Sequence, residues 1–284
     1  MVACSAPPGE GTETTAPDDT AEAVANAAEL IKNGELLYPA TNSLFRYDVY
    51  KTHIIIVEYL STETDVVVPE TIETLPVLRI EKNAFKDCEH ITSVKLPDTL
   101  VEIGNSAFEG CKNMATINLP KNIMSLGESV FENCDALTEL TIPMSLNRIP
   151  QHMCDNCDNL VTVVWEDMEY DEANRVEKSI GSYAFYKCKK LTLLWIPDEV
   201  IDIGSVMVGE APYLVIHGYT SSAAAHYASK NFIDFEVLDK ENLATAIKDA
   251  QDEAAKREEE STTPGEPTEP TVSTQPTEST TPNE

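Results

Sequence analysis

The sequence is short of cations and of long apolar runs. Lys and Arg total 20 against 49 Asp and Glu, a formal charge of −29 over 284 residues. Phosphate binding needs clustered cations, so a chain built to coat nucleic acid is excluded, as is a basic surface for anionic lipid. No run approaches the ~18 apolar residues of a membrane-spanning helix. There is no Gly-rich phosphate loop. His53, His90, His152, His217 and His226 are scattered, and none pairs with Ser or Cys in a nucleophile motif. An enzyme reading has no residues to stand on, and neither cofactor nor metal is expected. Seven cysteines are too few for a disulfide-dense miniprotein. What is present is a 42% apolar fraction, enough for a core, in a length that suits one large domain or two ordinary ones.

The charge gathers at the ends. Residues 1–31 hold six acids and no base, and residues 251–284 hold nine acids against Lys256 and Arg257. From Ser261 onward, 20 of 24 residues are Thr, Pro, Glu or Ser. Such a segment buries too little apolar surface to offset its ordering entropy, so 261–284 is expected to be a disordered tail. Residues 1–19 are similarly linker-like. Met1-Val2-Ala3-Cys4 resembles the end of a bacterial lipoprotein signal, which makes Cys4 a candidate lipid anchor on a flexible tether. A short helix is predicted over 20–34, capped by Thr20, with Val24, Ala27, Ala28 and Ile31 on one face and Gly34 as its stop. A second helix is predicted over 239–260, where Leu243, Ile247, Ala250 and Ala254 make a thin apolar stripe.

The middle is periodic. Phe85, Phe108 and Phe131 stand 23 residues apart, and the next slot holds Cys154. Cys88, Cys111, Cys134 and Cys157 keep the same step, as do Pro97, Pro120 and Pro143. The following step lengthens to 31, reaching Phe185 and Cys188. Each unit carries a short apolar alternation, such as Leu137, Leu140 and Ile142, which reads as one strand. Proline then ends the strand. The Ala-Phe segment is too short for a full helix and predicts a tight helical or 3₁₀ turn. A single unit cannot bury its own apolar face, whereas stacked units can. The expected fold is an α/β-type solenoid of short parallel strands.

The pattern Ile-Gly-x-x-Ala-Phe-x-x-Cys, followed by an apolar strand and Pro, resembles the bacterial BspA-type leucine-rich repeat. The residues that carry it include Ile103, Gly104, Ala107, Phe108, Cys111, Ile117 and Pro120. The resemblance covers roughly Val66 to Leu238, and with its caps the solenoid is expected over 44–238. Phe45, Tyr47, Val49, Ile54–Val57 and Tyr59 resemble the family's N-terminal β-hairpin cap. Leu214–Tyr219, Ala223–Tyr227 and Phe235 resemble its closing strand, helix and last strand. One unit departs from the pattern, at Ile149-Pro150, Cys154, Trp165 and Glu166. The resemblance implies a non-catalytic, exported bacterial cell-surface protein that binds protein, matrix or glycan ligands as a monomer.

Other motifs suggest chemistry less strongly. Cys154-Asp-Asn-Cys157 has the spacing of a redox pair or half a metal site, with His152 nearby. Cys157 is also a rung of the cysteine ladder, Cys154 takes an aromatic slot, and Asp155 and Asp158 disfavour a thiolate. Free, buried thiols are expected. A thiol redox or metal protein centred on this pair is one alternative function, and a passive surface spacer is another. The acidic insertion after Glu166 lacks EF-hand ligand spacing. Outward strand positions run from Ser93/Lys95, Thr116/Asn118 and Glu139/Thr141 to Thr162/Val164 and Leu193/Trp195, polar giving way to apolar. Trp195, Leu193, Val164, Thr162 and Thr141 are therefore the candidate partner-binding residues, unless the insertion or the last helix folds over them.

Overall fold

Repeating units of this kind have to stack, and the backbone shows how. The computed structural model describes residues 26–262 apart from 28, 167–175 and 239. After helical residues at 26–27 and 29–33 (α1) come β1 (Leu36–Thr41), β2 (Phe45–Tyr50) and β3 (Ile54–Tyr59). These three strands form an antiparallel cap. Next are β4 (Asp65–Val67), β5 (Thr71–Ile72) and β6 (Leu75–Ile80). The repeats then supply β7 (Ser93–Lys95), β8 (Glu102–Ile103), β9 (Thr116–Asn118), β10 (Ser125–Leu126), β11 (Glu139–Ile142) and β12 (Arg148–Ile149). They continue with β13 (Thr162–Trp165), β14 (Lys178–Ile180), β15 (Phe185–Tyr186), β16 (Leu193–Trp195), β17 (Val200–Ile203) and β18 (Val208–Gly209). The chain closes with β19 (Val215–Gly218), α2 (Ala223–Asn231), β20 (Asp234–Val237) and α3 (Lys240–Thr262).

Two long rows of parallel strands run along the solenoid, not one, and β15 and β18 form a short parallel pair beside them. The first is the row that the alternation predicts: β4-β7-β9, then β11-β13-β16-β19-β20. Its register is in step with the repeat, Ser93 on Thr116 and Glu139 on Thr162, then on Leu193 and Val215. The second row, β3-β6-β8-β10 and then β12-β14-β17, extends the hairpin cap along the Ile-Gly segments. The sequence reading missed it because its middle members are two residues long, too short to show an alternation. The glycines that follow them are set by approach between coils. A Cβ on Gly104 would lie 2.5 Å from Lys82 N, and one on Gly127 would lie 2.2 Å from Asn105 N.

The Ala-Phe segments are turns rather than helices. In each, two residues four apart take the left-handed conformation: Asn83 and Asp87, Ser106 and Gly110, Ser129 and Asn133, His152 and Asn156, Tyr183 and Lys187. Positive φ breaks helical progression. It also turns alternate N–H groups toward the next coil. Asn83, Phe85 and Asp87 donate to the carbonyls of Asn105, Ala107 and Glu109 at 2.8–3.0 Å. The same three-rung ladder links each later pair of turns, down to Tyr183, Phe185 and Lys187 on Val206, Met207 and Gly209.

The core runs between the two rows as one continuous cluster. Phe85 stacks on Phe108 with ring centroids 4.7 Å apart, and Phe108 on Phe131 at 5.9 Å. Burying each ring contributes about 2–3 kcal/mol. At the far end α2 seals the last coil. Ser222 caps its start, its hydroxyl accepting from Ala225 N, and Tyr227 Oη accepts from Met207 N at 2.9 Å. No helix among the described residues is long and apolar enough to cross a membrane.

Candidate binding surface

Period-two alternation sends one residue of each first-row strand inward and its neighbours outward. Val94, Leu140, Val163, Leu194 and Ile216 are buried in the core. The outward positions form two columns along the stack, and the two halves of the row differ. In the N-terminal half Asp65, Lys95, Thr116, Asn118, Glu139 and Thr141 are exposed. Asp65 Oδ1 accepts from Ser93 Oγ at 2.6 Å and from Thr92 Oγ1 at 3.1 Å. These hydroxyls hold the Asp65 carboxyl below its usual range.

In the C-terminal half the outward residues are not exposed. Trp195 and Leu193 are each 1% exposed, Thr162 is buried and Val164 is half-buried. Of the two arrangements left open by the sequence, the Leu-Trp-Val patch takes the covered one. The cover is α3, whose Leu243, Ala246, Ile247 and Ala250 lie against Leu193, Trp195, Val164 and Tyr219. The apolar stripe read from the sequence is the face that docks. Polar contacts flank it. Gln251 donates to Glu139 at 3.0 Å, Lys190 pairs with Glu258, and the Arg257 guanidinium sits 4.1 Å over the Tyr213 ring. The helix fits incompletely. A cleft of about 400 Å³ remains near its start, lined by Lys121, Met144, Val164, Trp165, Glu166, Trp195 and Leu243. The acidic insertion falls on 167–175 and Cys4 on the N-terminal segment, both outside the described residues.

The cysteine ladder has a plain structural use. Cys111 Sγ donates to Phe85 O, Cys134 Sγ to Phe108 O and Cys157 Sγ to Phe131 O, all at 3.1–3.2 Å. Cys188 Sγ reaches Cys154 O in the same way, at 3.1 Å. A thiol is small enough for the turn and still satisfies a buried carbonyl of the preceding coil. Cys88, in the first unit, is only half-buried and has no such partner behind it. Burial pushes the Cys111 thiol up to about 12, and it raises Cys154 and Cys188 strongly as well. A raised pKa disfavours the thiolate at Cys154 and Cys188, the form that redox exchange uses. Among the described residues no group of three His, Cys, Asp or Glu is placed to hold a metal ion.

One residue of consequence carried no signal. Lys178 is 3% exposed, in the unit that departs from the pattern. Its Nζ donates to Met144 O at 2.5 Å and Leu146 O at 2.8 Å, and lies 5.1 Å from the centre of the Trp165 ring. Burial lowers its pKa. A lone Lys beside an insertion looks like a surface residue, so only the fold reveals that it ties the irregular coil to its neighbour.

The model of the BspA type leucine-rich repeat region matches in six copies, over residues 61–170 and 172–214. No curated protein matches. Among solved structures, the chain is similar to a pneumococcal vaccine antigen, PcpA, at 18% identity and a TM-score of 0.53, covering 66% of this chain and 51% of that one. It is similar to a leucine-rich repeat protein of T. pallidum at 23% identity, TM-score 0.42, covering 63% of this chain and 86% of that one. A leucine-rich cell surface protein of Faecalibacterium prausnitzii matches at 22% identity, TM-score 0.47, over 65% of this chain and 55% of that one. The chain thus spans about half the length of the pneumococcal and Faecalibacterium structures. At such identities the likeness concerns the fold alone.

Proposed function

The chain belongs to the BspA-type leucine-rich repeat family, and from that premise we propose that it is a non-catalytic bacterial cell-surface protein that binds proteins or matrix glycans. The contact surface in this reading is the open outward face of the first strand row, from Asp65 and Lys95 to Thr141, while Thr162, Val164, Leu193 and Trp195 lie in its covered half. The observation that carries it is the regular register of that row. Identical backbone positions present a changing set of side chains on a rigid frame, which suits recognition of an extended partner. The buried, hydrogen-bonded thiols and the absence of a recognisable nucleophile motif support a non-catalytic role. Export and anchoring rest on Cys4 and on the acidic, Pro- and Thr-rich ends.

The test is binding of the full chain to immobilised matrix proteins and glycans. Lys95→Glu and Thr141→Arg are expected to weaken capture at least about tenfold, with folding unchanged. Capture unaffected by either variant would remove this face from the reading. Failure to capture any component would favour a passive spacer. Mass analysis of the native N-terminus tests the anchor, because acylation of Cys4 adds the mass of its lipid chains.

A further inference from the structure

Of everything on the surface, α3 fits worst with a purely structural role. It lies beyond the closing elements β19, α2 and β20, which already seal the end of the stack. It runs for 23 residues, yet among those whose burial is described only Ala250 and Ala254 are buried. Its larger apolar residues, Leu243 and Ile247, stay half-buried, and Leu243 borders the cleft of about 400 Å³. Its last turn has no base and carries Glu258, Glu259 and Glu260, the charge sign that the carbonyl end of a helix dipole disfavours. The sheet beneath it is different. Leu193 and Trp195 are almost fully buried and Trp195 packs edge-on against Tyr219 at 5.6 Å. A large aromatic anchor is thus covered by two alanines and by Leu243 and Ile247, which are themselves only half-buried.

We infer that the outward face of β13 and β16 is a helix-binding groove, and that α3 is its displaceable intramolecular occupant. The partner it fits is an amphipathic helix of another protein. That helix would carry apolar residues at the spacing of Leu243, Ile247, Ala250 and Ala254, larger ones at the cleft, and a base placed like Arg257 to stack on Tyr213. The contacts of α3 define this chemistry directly. The inference rests on the binding reading above and deepens it: the open polar half meets the partner first, and the covered half engages once α3 lifts. A closed latch lowers the apparent affinity for any competitor by the fraction of molecules that are closed.

The test uses the full chain and the synthetic peptide 240–262. The protein's two tryptophans, Trp165 and Trp195, are both buried, so acrylamide quenching reports the state of the face. Ala250→Glu is expected to raise quenching clearly, while Lys248→Glu, on the exposed side of α3, leaves it unchanged. Added peptide is expected to restore shielding in Ala250→Glu, and to bind wild type at least about tenfold more weakly because α3 competes. Quenching unchanged in Ala250→Glu, or peptide that does not restore it, overturns the inference. A dimer formed by exchange of α3 between copies would assign the groove to a second copy and overturn the hetero-partner. Should Ala250→Glu not fold, hydrogen exchange on wild type decides. Amides of α3 are expected to exchange at least about 100-fold faster than those of β13 and β16, and equal protection overturns the latch. None of these readouts needs a surface ligand, so failure of the matrix-binding experiment stays distinguishable from failure of this one.

Discussion

The coils of β7 and β9 and those of β13 and β16 repeat one backbone and present opposite surfaces. In both halves a central aliphatic residue points inward and the turn carries two left-handed residues, and from the β9 coil onward a Cys thiol bonds a carbonyl of the coil behind. Outward, Lys95, Thr116 and Asn118 meet solvent, whereas Leu193 and Trp195 meet α3. The irregular step and the buried Lys178 also belong to the second half. What the repeat dictates is therefore the inside. The outside is free to vary from coil to coil, which is what a display scaffold needs, and where it turned apolar the chain supplied its own cover.

The comparison breaks if the inside is not common to both halves. Phe108→Ala in the regular stack is expected to cost about 3–5 kcal/mol, because its ring packs between Phe85 and Phe131. Chemical denaturation measures it, and a cost below about 1 kcal/mol would mean the stack does not carry the coil. Lys178→Met sharpens the contrast from the irregular side. It leaves Met144 O and Leu146 O without their donor, so a loss of about 2 kcal/mol is expected in the same assay. A neutral result would place the tie between these coils elsewhere.

Smaller effects probe the shared ladder and the two ends. Cys134→Ala removes one S–H bond and a little buried volume, for an expected loss of about 1 kcal/mol. Reducing agents should change nothing in wild type, since the described cysteines are free. Acid should act at both ends, through His53 in the hairpin cap and His217 at an outward strand slot. Burial lowers the pKa of each below its ordinary 6.5. The unfolded chain then takes up protons first as pH falls. The stability these histidines contribute is present above about pH 6.5 and is lost as pH falls through their folded values. Melting temperatures between pH 8 and pH 5 should fall accordingly, and less steeply in His53→Gln. An equal slope in that variant would remove His53 from the account.

Much of this was legible from the residues. The 23-residue step placed the strands, the Phe and Cys ladders and the inward set, because one coil forces the geometry of the next. The stripe of Leu243, Ile247, Ala250 and Ala254 marked the docking face of α3, since a 3.6-residue period needs no tertiary information. The second strand row was not legible, because Glu102–Ile103 and Ser125–Leu126 are too short to show a period. Lys178 was hidden for a different reason. Its role depends on which carbonyls an irregular coil leaves unpaired, and that exists only after folding. Whether Trp195 would meet water or α3 likewise depended on the path of the chain between β20 and α3, which local pattern does not specify.

The smallest stability effect carries the sharpest functional contrast. Lys95 is exposed on β7, and among the described contacts nothing packs over it as α3 packs over Trp195. Lys95→Glu should change stability by no more than about 0.5 kcal/mol, the usual range for a surface site. It reverses charge in the open half of the face, so any acidic partner surface engaged there should bind more weakly, chiefly through a slower encounter, and with a shallower loss of binding as salt rises. The corresponding change in the covered half, Ala250→Glu, should instead raise the availability of the apolar groove. Opposite signs from two single charges on one sheet would establish that the halves act differently. If both variants shifted partner binding in the same direction, the division between an open face and a latched one would have to be given up.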